Sequence, residues 1–357
     1  MYQKTILELE VPGQLALPGK RQVGLVLTFV RLDPIGYTPM KFGASSWPFQ
    51  WEPPYESCIK KVASLGFKAV ELIAWNEQYL AEYYTPAKVS ELKGCLDGEG
   101  IELSQFVSTP AGLSDPDKTR REQAIAHWQR AVDVGTALGT KLINMVSAHA
   151  FGLRDGVEIP RITTKPLVQR FATRDILRNV DWDQNYRDYV EALKRCAKAC
   201  QDAGVVMTLE PHPARYMANT DGALRLLEHV NSPAMGVNFD PSHTFPAGDF
   251  PNISVYRLGK HIKHLHVSDN DGVTNVHWRP GLGKIDWYAM FQALKDIGYD
   301  GTISIELEDV PGVSRGQKSG APGIYRNITA TNEFEAETLA AMNYLKSVSR
   351  EAGIMVE

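Results

Sequence analysis

Four side chains able to bind a metal ion each stand at the end of an apolar, strand-like run. They are Glu210 in LEPHP, Asp240 in NFDPSH, His266 in HLHVSDN and Glu306 in SIELED. Three carboxylates and one imidazole favour one divalent ion with room for further oxygen ligands, Mn²⁺ first and Mg²⁺ or Co²⁺ as alternatives. A single acid at a strand end is commonly a helix cap. The repetition on four successive strands predicts a shared metal site.

A second histidine, His264, precedes His266 by two residues in IKHLHVS. Alternate residues of a strand point to the same side, so both imidazoles face the same way. His266 is nearer the strand end and is the predicted ligand. For His264 we expect a hydrogen-bonded core histidine; the alternatives are a direct metal ligand and a residue that orients a ligand carboxylate.

The elements that must position these residues alternate regularly after about residue 40. Eight apolar runs are separated by amphipathic helical segments; the runs cover 40–47, 69–75, 101–107, 140–148, 205–210, 235–240, 262–268 and 302–308. Glycine caps such as those in SLGFKAVEL and DIGYDGTISIE end helices before the next strand. Eight such repeats predict an α/β fold, a closed (β/α)8 or TIM barrel. An open doubly wound sheet is the alternative, but no GxGxxG follows an early strand.

Three segments exceed a minimal barrel. Residues 1–39 contain TILELEV and VGLVLTFVRL, which predict a β-hairpin-like N-terminal extension ahead of a catalytic barrel domain at 40–357. Long inserts follow strand four (149–183) and strand eight (310–331). Because loops that follow barrel strands lie at the catalytic face, both inserts are predicted lids.

Composition excludes several classes of protein. The net charge is −4 and the sequence has no Lys/Arg run, which argues against a nucleic-acid partner. No apolar stretch is as long as a membrane span, and the N-terminus does not read as a secretory signal. The four cysteines fall in helix-like segments and fit buried thiols, so we expect a cytoplasmic protein.

The segments LEPHP, FDPSH, HLHVSDN with PGLGKIDW, and SIELED resemble the sugar phosphate isomerase/epimerase family of xylose-isomerase-like TIM barrels, over roughly residues 40–350. The resemblance implies one divalent metal, a small carbohydrate substrate and a homo-oligomer. It also implies that Glu210, Asp240, His266 and Glu306 are the ligands and that His243 binds substrate. Arg279, just before PGLG, resembles a substrate-binding arginine, although it lies farther from His266 here.

One subgroup resembles this chain in length, in the SWPF start and in His149 at the end of strand four. It comprises the α subunits of C-glycoside deglycosidases, which act on 3-keto C-glycosides and pair with a small β subunit. The 3-epimerases lack both the insert at 149–183 and the N-terminal segment.

Two reactions share one first step, removal of a proton next to a carbonyl through an enediolate that the ion stabilises. In the first, Glu210 and Glu306 exchange the proton with the sugar, which gives an isomerase or epimerase. In the second, the enolate expels an aglycone and His149 protonates the departing carbon, which gives a lyase. An endonuclease IV-like phosphodiesterase, disfavoured by the net charge, and a non-catalytic sugar-binding protein are further alternatives.

Three more residues are candidate substrate contacts. Trp47 and Trp75 follow strands one and two, and rings at a barrel mouth stack on sugars or aglycones. His212 follows Glu210 by two residues and is a candidate for holding a substrate hydroxyl. Each of the three has a structural alternative, a core or subunit contact for the tryptophans and a loop hydrogen bond for His212.

Overall fold

A computed structural model describes residues 40–149, 180–308, 310–311 and 331–357, together with the backbone of two short N-terminal strands. The chain divides into two units, Met1–Thr38 and Pro39–Glu357. In the first unit, β1 (Thr5–Leu7) pairs antiparallel with β2 (Phe29–Arg31), within the two runs predicted to form a hairpin. The predicted lid 310–331 lies almost entirely outside the described residues, as does most of the insert 149–183.

The second unit is a closed barrel of eight parallel strands, as predicted. Its strands run in chain order around the barrel, and the last pairs with the first. They are β3 (Lys41–Ser45), β4 (Ala69–Ile73), β5 (Glu102–Val107), β6 (Leu142–Val146), β7 (Val206–Glu210), β8 (Met235–Phe239), β9 (Ile262–Val267) and β10 (Thr302–Ile305).

Helices surround the barrel and separate the strands. They are α1 (Glu56–Ser64), α2 (Glu77–Glu82), α3 (Pro86–Glu99), α4 (Lys118–Leu138), α5 (Trp182–Asp202), α6 (Thr220–Val230), α7 (Pro241–Thr244), α8 (Pro251–Leu258), α9 (Trp287–Asp296) and α10 (Asn332–Glu351). The short helices α2 and α7 were not predicted. In the part of the chain that the structure covers, no helix is both long and apolar enough to cross a membrane.

The strands are buried on both faces because helices cover the outside and side chains fill the inside. The predicted glycine caps are confirmed: Gly66 and Gly298 have φ of 89° and 70°, a region that residues with a Cβ rarely occupy.

Several polar side chains lie inside the barrel, on strands whose other residues are mostly apolar. Glu71 of β4 lies in register between Ser45 and Gln105, and Ser304 pairs with His266. These side chains are fully buried. Because a buried polar group is costly unless it is hydrogen-bonded, their presence on successive strands indicates a connected polar network inside the barrel.

The packing of α4 on the barrel gives a stability prediction. A Cβ added at Gly135 would overlap the Ile143 side chain and lie 3.1 Å from the Phe106 Cβ. We expect Gly135→Ala to lower the free energy of unfolding by about 1–3 kcal/mol through overpacking, measured by urea denaturation.

Gly94 of α3 is the matched control, because an added Cβ there meets no atom within 4 Å. Gly94→Ala should raise stability by about 0.5–1 kcal/mol, since glycine is unfavourable inside a helix. If both variants were equally stable, the close packing of α4 on β5 and β6 would be contradicted.

Candidate functional site

The carboxyl ends of four neighbouring strands bring the predicted ligand residues together. Glu210 ends β7, Asp240 follows β8, His266 lies near the end of β9, and Glu306 follows β10. One ligand-capable atom from each residue lies within 4.8 Å of those of the others, and all four residues are buried. The closure of the barrel therefore brings together four side chains that are far apart in sequence.

His266 is at the centre of this cluster. Its Nδ1 atom lies 3.1 Å from Glu210 Oε1 and 3.1 Å from Glu306 Oε2. Its Nε2 atom lies 2.9 Å from Glu71 Oε2. The two ring nitrogens thus face different acids: Nε2–H donates to Glu71, and Nδ1 faces the two glutamates.

Neutral donors hold the other oxygens of the two glutamates. Trp47 donates its Nε1–H to Glu306 Oε1 at 2.6 Å. Asn144 and Asn238 donate to Glu210 Oε2 at 3.0 and 3.3 Å. Each carboxylate is therefore fixed by one oxygen and presents the other towards His266, the kind of preorganised geometry that catalytic groups need.

The charges of the cluster depend on one another. Burial alone would raise the pKa values of Glu210 and Glu306, but His266 more than offsets this effect and lowers both to about 2. Burial also acts against a charged His266, yet Glu71, Glu210 and Glu306 raise its pKa well above the usual range. Burial, followed by Glu306 and Glu210, raises the pKa of Asp240 well above its ordinary value. The pKa values of Asp240 and His266 are thus raised by the same glutamates whose pKa values are lowered.

These residues fit a divalent cation. Asp240 Oδ2 is buried and accepts no hydrogen bond from any residue in the described ranges, a costly arrangement for a protein interior. A cation bound by the four side chains would supply the missing partner, and it would bind them in their deprotonated forms. The set of three carboxylates and one imidazole nitrogen suits Mn²⁺, Mg²⁺ or Co²⁺.

Glu71 was not predicted as a site residue, although the structure places it against the imidazole. It is fully buried, and its Oε1 accepts hydrogen bonds from Ser45 Oγ at 3.0 Å and from Ser304 Oγ. Gln105 Nε2 donates to Oε2 at 2.6 Å. Burial acts to raise the pKa of Glu71, but His266, His264 and the hydrogen bond from Ser304 outweigh it and lower the pKa to about 2. The available signal was an acid inside the apolar run AVELIAW, which a buried strand carries only where it has partners.

His264 has the predicted structural role. Its Nδ1 atom lies 3.0 Å from Asn238 Oδ1 and its Nε2 atom 3.2 Å from Ser104 Oγ. Burial lowers its pKa to about 4, so the ring is neutral near pH 7. The expectation of a hydrogen-bonded core histidine is confirmed. Through Asn238, it also supports a residue that contacts both Glu210 and His266.

Three further imidazoles adjoin the cluster. The His212 and His243 rings lie 3.5 Å apart between centroids, and the His243 and His277 rings 4.6 Å apart. His212 Nε2 is 3.5 Å from Glu210 Oε1, and His277 Nδ1 is 3.8 Å from Glu306 Oε2. The structure thus places His212 and His243 at the candidate site. His277, which follows β9 in the loop NVHW, was missed because nothing in its local sequence marks it.

His243 is held as a neutral ring. Burial, with His212 and His277 beside it, lowers its pKa well below the usual range. Its Nδ1–H donates to Asn275 Oδ1 at 2.8 Å, which leaves the Nε2 lone pair 3.5 Å from Asp240 Oδ2. That nitrogen can accept a hydrogen bond from a hydroxyl group at the site.

The loop that carries His277 is tied down by Asp269. The Asp269 carboxylate accepts hydrogen bonds from the backbone N–H of Gly281 and Ile285 and from Trp287 Nε1. A Cβ at Gly283 would overlap Asp269 and the Asn270 backbone. The motif PGLGKIDW therefore closes tightly around Asp269, and it fixes the loop beside the cluster.

Tryptophans form one wall of the site. Trp47 lies edge-on to His266 at 5.6 Å and to Trp75 at 6.0 Å between ring centroids. Trp75 stacks on Trp51 at 4.0 Å. Both predicted aromatic residues are thus adjacent to the cluster, Trp47 directly and Trp75 through Trp47.

Two predicted residues contact groups outside the cluster. The Nε atom of Arg279 donates to Glu337 Oε2 of α10 at 2.7 Å, so this guanidinium forms an ion pair with a helix. His149 forms a backbone bridge with Arg215, and its Nδ1 lies 3.3 Å from the Ala214 carbonyl oxygen. Burial and then Arg215 lower the pKa of His149 to about 4. This value lies below the range in which an imidazole is an effective proton donor near pH 7, the role expected of His149 in the lyase reaction.

The contact between Glu71 and His266 gives a prediction about metal affinity. The charge of Glu71 keeps the proton of His266 on Nε2, so that Nδ1 is available to bind a metal ion. Glu71→Gln removes that charge. Loss of such a partner typically weakens metal binding by roughly 10–100-fold. We expect a weakening of this size for Mn²⁺, measured by titration calorimetry.

Glu102→Gln is the control, because Glu102 lies on neighbouring β5 but pairs at the surface with Lys41. It should leave Mn²⁺ affinity unchanged, and circular dichroism would verify that both variants fold. Equal Mn²⁺ affinity in the Glu71→Gln variant and the parent protein would count against an orienting role.

Several proteins of known activity are similar to this chain. D-psicose 3-epimerase from Ruminiclostridium cellulolyticum is 26% identical over 265 residues, which are 73% of this chain and 80% of that protein. Fructoselysine 3-epimerase from Shigella flexneri is 21% identical over 262 residues, 71% of this chain and 85% of the relative.

Solved structures share the fold. A D-psicose 3-epimerase with D-tagatose, from Clostridium cellulolyticum H10, gives a TM-score of 0.66 at 23% identity and covers 87% of this chain and 99% of its own. A 3-keto-D-glucoside 4-epimerase from E. coli gives 0.62 at 16% identity, with 86% and 99% covered. The family described as xylose isomerase-like TIM barrel matches residues 59–341, and the chain belongs to that family.

Proposed function

We propose that this protein is a divalent-metal-dependent sugar isomerase or epimerase that moves a proton next to the carbonyl of a sugar or keto-sugar. The observation that carries the proposal is the buried cluster in which Glu210 and Glu306 face one imidazole nitrogen beside Asp240. The sugar 3-epimerases among the relatives support a carbohydrate substrate.

Glu210 and Glu306 are the proposed bases. A divalent cation held by the four side chains would supply the positive charge that makes a C–H next to a sugar carbonyl acidic. One glutamate removes the proton and the other returns it, either to the same carbon or to its neighbour. Their low pKa values keep both carboxylates ionised, and the hydrogen bonds from Trp47 and Asn144 limit their rotation.

The neighbouring histidines are the proposed contacts to the sugar. The Nε2 lone pair of His243 accepts a hydrogen bond from a substrate hydroxyl, since Asn275 holds the proton on Nδ1. His212 stacks on His243 and lies beside Glu210, so it contacts the same part of the substrate. His277 is a third proposed contact to the sugar, and its position beside Glu306 is the observation that supports it.

Solvent exchange tests the bases. Glu306→Gln removes a charged base while keeping an oxygen that accepts from Trp47, so Mn²⁺-loaded variant protein should lose deuterium incorporation from D₂O into a ketose. We expect a loss of at least about 100-fold, the lower end of what a general base contributes. Mass spectrometry of the sugar measures it.

Glu308→Gln is the matched control two residues farther along the chain. Glu308 would take the place of Glu306 if the strand continued for two more residues, but β10 ends at Ile305 and the Glu308 N–H donates to the His277 carbonyl. Its variant should retain exchange. Retained exchange in Glu306→Gln together with loss in Glu308→Gln would assign the base to Glu308.

A second function, cleavage of 3-keto C-glycosides, rests on His149, which bridges to the loop that follows Glu210. It ranks second because a pKa of about 4 leaves the ring neutral at pH 7, where it is a weak proton donor. Incubation of Mn²⁺-loaded protein with a 3-keto C-glycoside separates the two functions. We expect deuterium exchange without release of aglycone; release that disappears in His149→Gln would establish the lyase.

A further inference from the structure

A cavity of about 400 Å³ lies between the loops that follow β4 and β5 and the first turns of α4; we call it the β4–β5 cavity. Its volume is within the range of small-molecule sites, roughly 300–1,000 Å³. Residues lining it include Trp75, Asn76, Thr109, Arg120, Gln123 and His127. None of them belongs to the four-residue cluster.

Two indole rings connect the cavity to that cluster. Trp75 lines the cavity and contacts Trp47 edge-on at 6.0 Å. Trp47 donates to Glu306 and packs on His266. Trp47 therefore faces the cluster and Trp75 faces the cavity, and the two rings are in edge-on contact between them.

The lining has the chemistry of a site for a hydroxylated ring. Trp75 Nε1 is buried and donates to no residue in the described ranges. Ser108 Oγ lies 3.0 Å from Nε2 of the buried His127. Amide, hydroxyl and imidazole groups around an indole ring offer hydrogen-bond donors and acceptors beside an apolar face. A sugar ring is complementary, because it carries hydroxyl groups around an apolar C–H face.

The charges of the lining disfavour an anion. Arg120 lies 3.6 Å from Asp115, and Glu77 also lines the cavity. Arg120 is therefore paired with Asp115, and Glu77 is paired with Arg130 of the same helix, so neither pair offers a phosphate group an uncompensated cation.

We propose that the β4–β5 cavity is a subsite for a second sugar ring, and that the substrate is a glycosylated keto sugar whose reacting ring lies at the four-residue cluster. This inference rests on the proposed function for the position of the reacting ring. It assigns Gln123, exposed on α4, and His127 to recognition of the second ring.

Binding of three ketoses tests the subsite. Mn²⁺-loaded protein would be titrated with D-fructose, lactulose and palatinose, the last two of which carry a hexosyl group at O4 or O6. We expect at least one disaccharide to bind about tenfold more tightly than fructose, the gain expected from one or two added hydrogen bonds. Equal affinity for all three sugars would overturn the proposal.

Gln123→Trp places a large ring in the cavity, and Gln129→Trp is its control on the same helix, because Gln129 is exposed and does not line the cavity. The advantage of the disaccharide over fructose should vanish in the first variant and remain in the second. If Gln123→Trp kept the advantage, the subsite would be refuted. Calorimetry measures binding and requires no turnover, so it separates the subsite from the proposed function. If a disaccharide bound more tightly than fructose but no ketose exchanged deuterium, the proposed function would be refuted and the subsite would remain supported.

Discussion

The structure of the site depends on one buried imidazole between acids on two sides. Glu71 accepts a hydrogen bond from His266 Nε2, and Glu210 and Glu306 face Nδ1. Fixing the proton on one nitrogen leaves the other nitrogen for the cluster, as in carboxylate–histidine pairs at metal sites. An unpartnered charge in such a place would cost several kcal/mol, so each acid there requires its compensating donor or cation.

The barrel interior supplies those donors in layers. Ser45, Gln105, Asn144, Asn238 and Ser304 come from five different strands, and each hydrogen-bonds to an acid of the site. Because the strands are paired in fixed register, none of these groups can shift without disturbing its neighbours. The polar interior thus acts as a rigid support for side chains at the strand ends, where this fold carries its chemistry.

Loops beyond the strand ends carry the rings that adjoin the cluster. The candidate metal site has an aromatic side, formed by the tryptophans after β3 and β4. It also has an imidazole side, formed by the histidines after β7, β8 and β9. The imidazole side depends on the loop closed around Asp269, which keeps His277 in place without any repeating secondary structure. Substrate differences within a family of this fold arise in such loops, because the strands beneath them are constrained by closure.

The sequence by itself determined the eight strands, their order and the four side chains at the ends of the last four, because strand ends and apolar runs are local patterns. It also identified His212 and the two tryptophans as residues near those ends, whereas His243 was predicted through the family resemblance. Only the tertiary structure decided the partners. Glu71 and His266 are 195 residues apart and meet through barrel closure, and no local pattern marks His277. Electrostatics likewise depend on burial: the low pKa of His149 and the pairing of Arg279 with Glu337 come from neighbours distant in sequence.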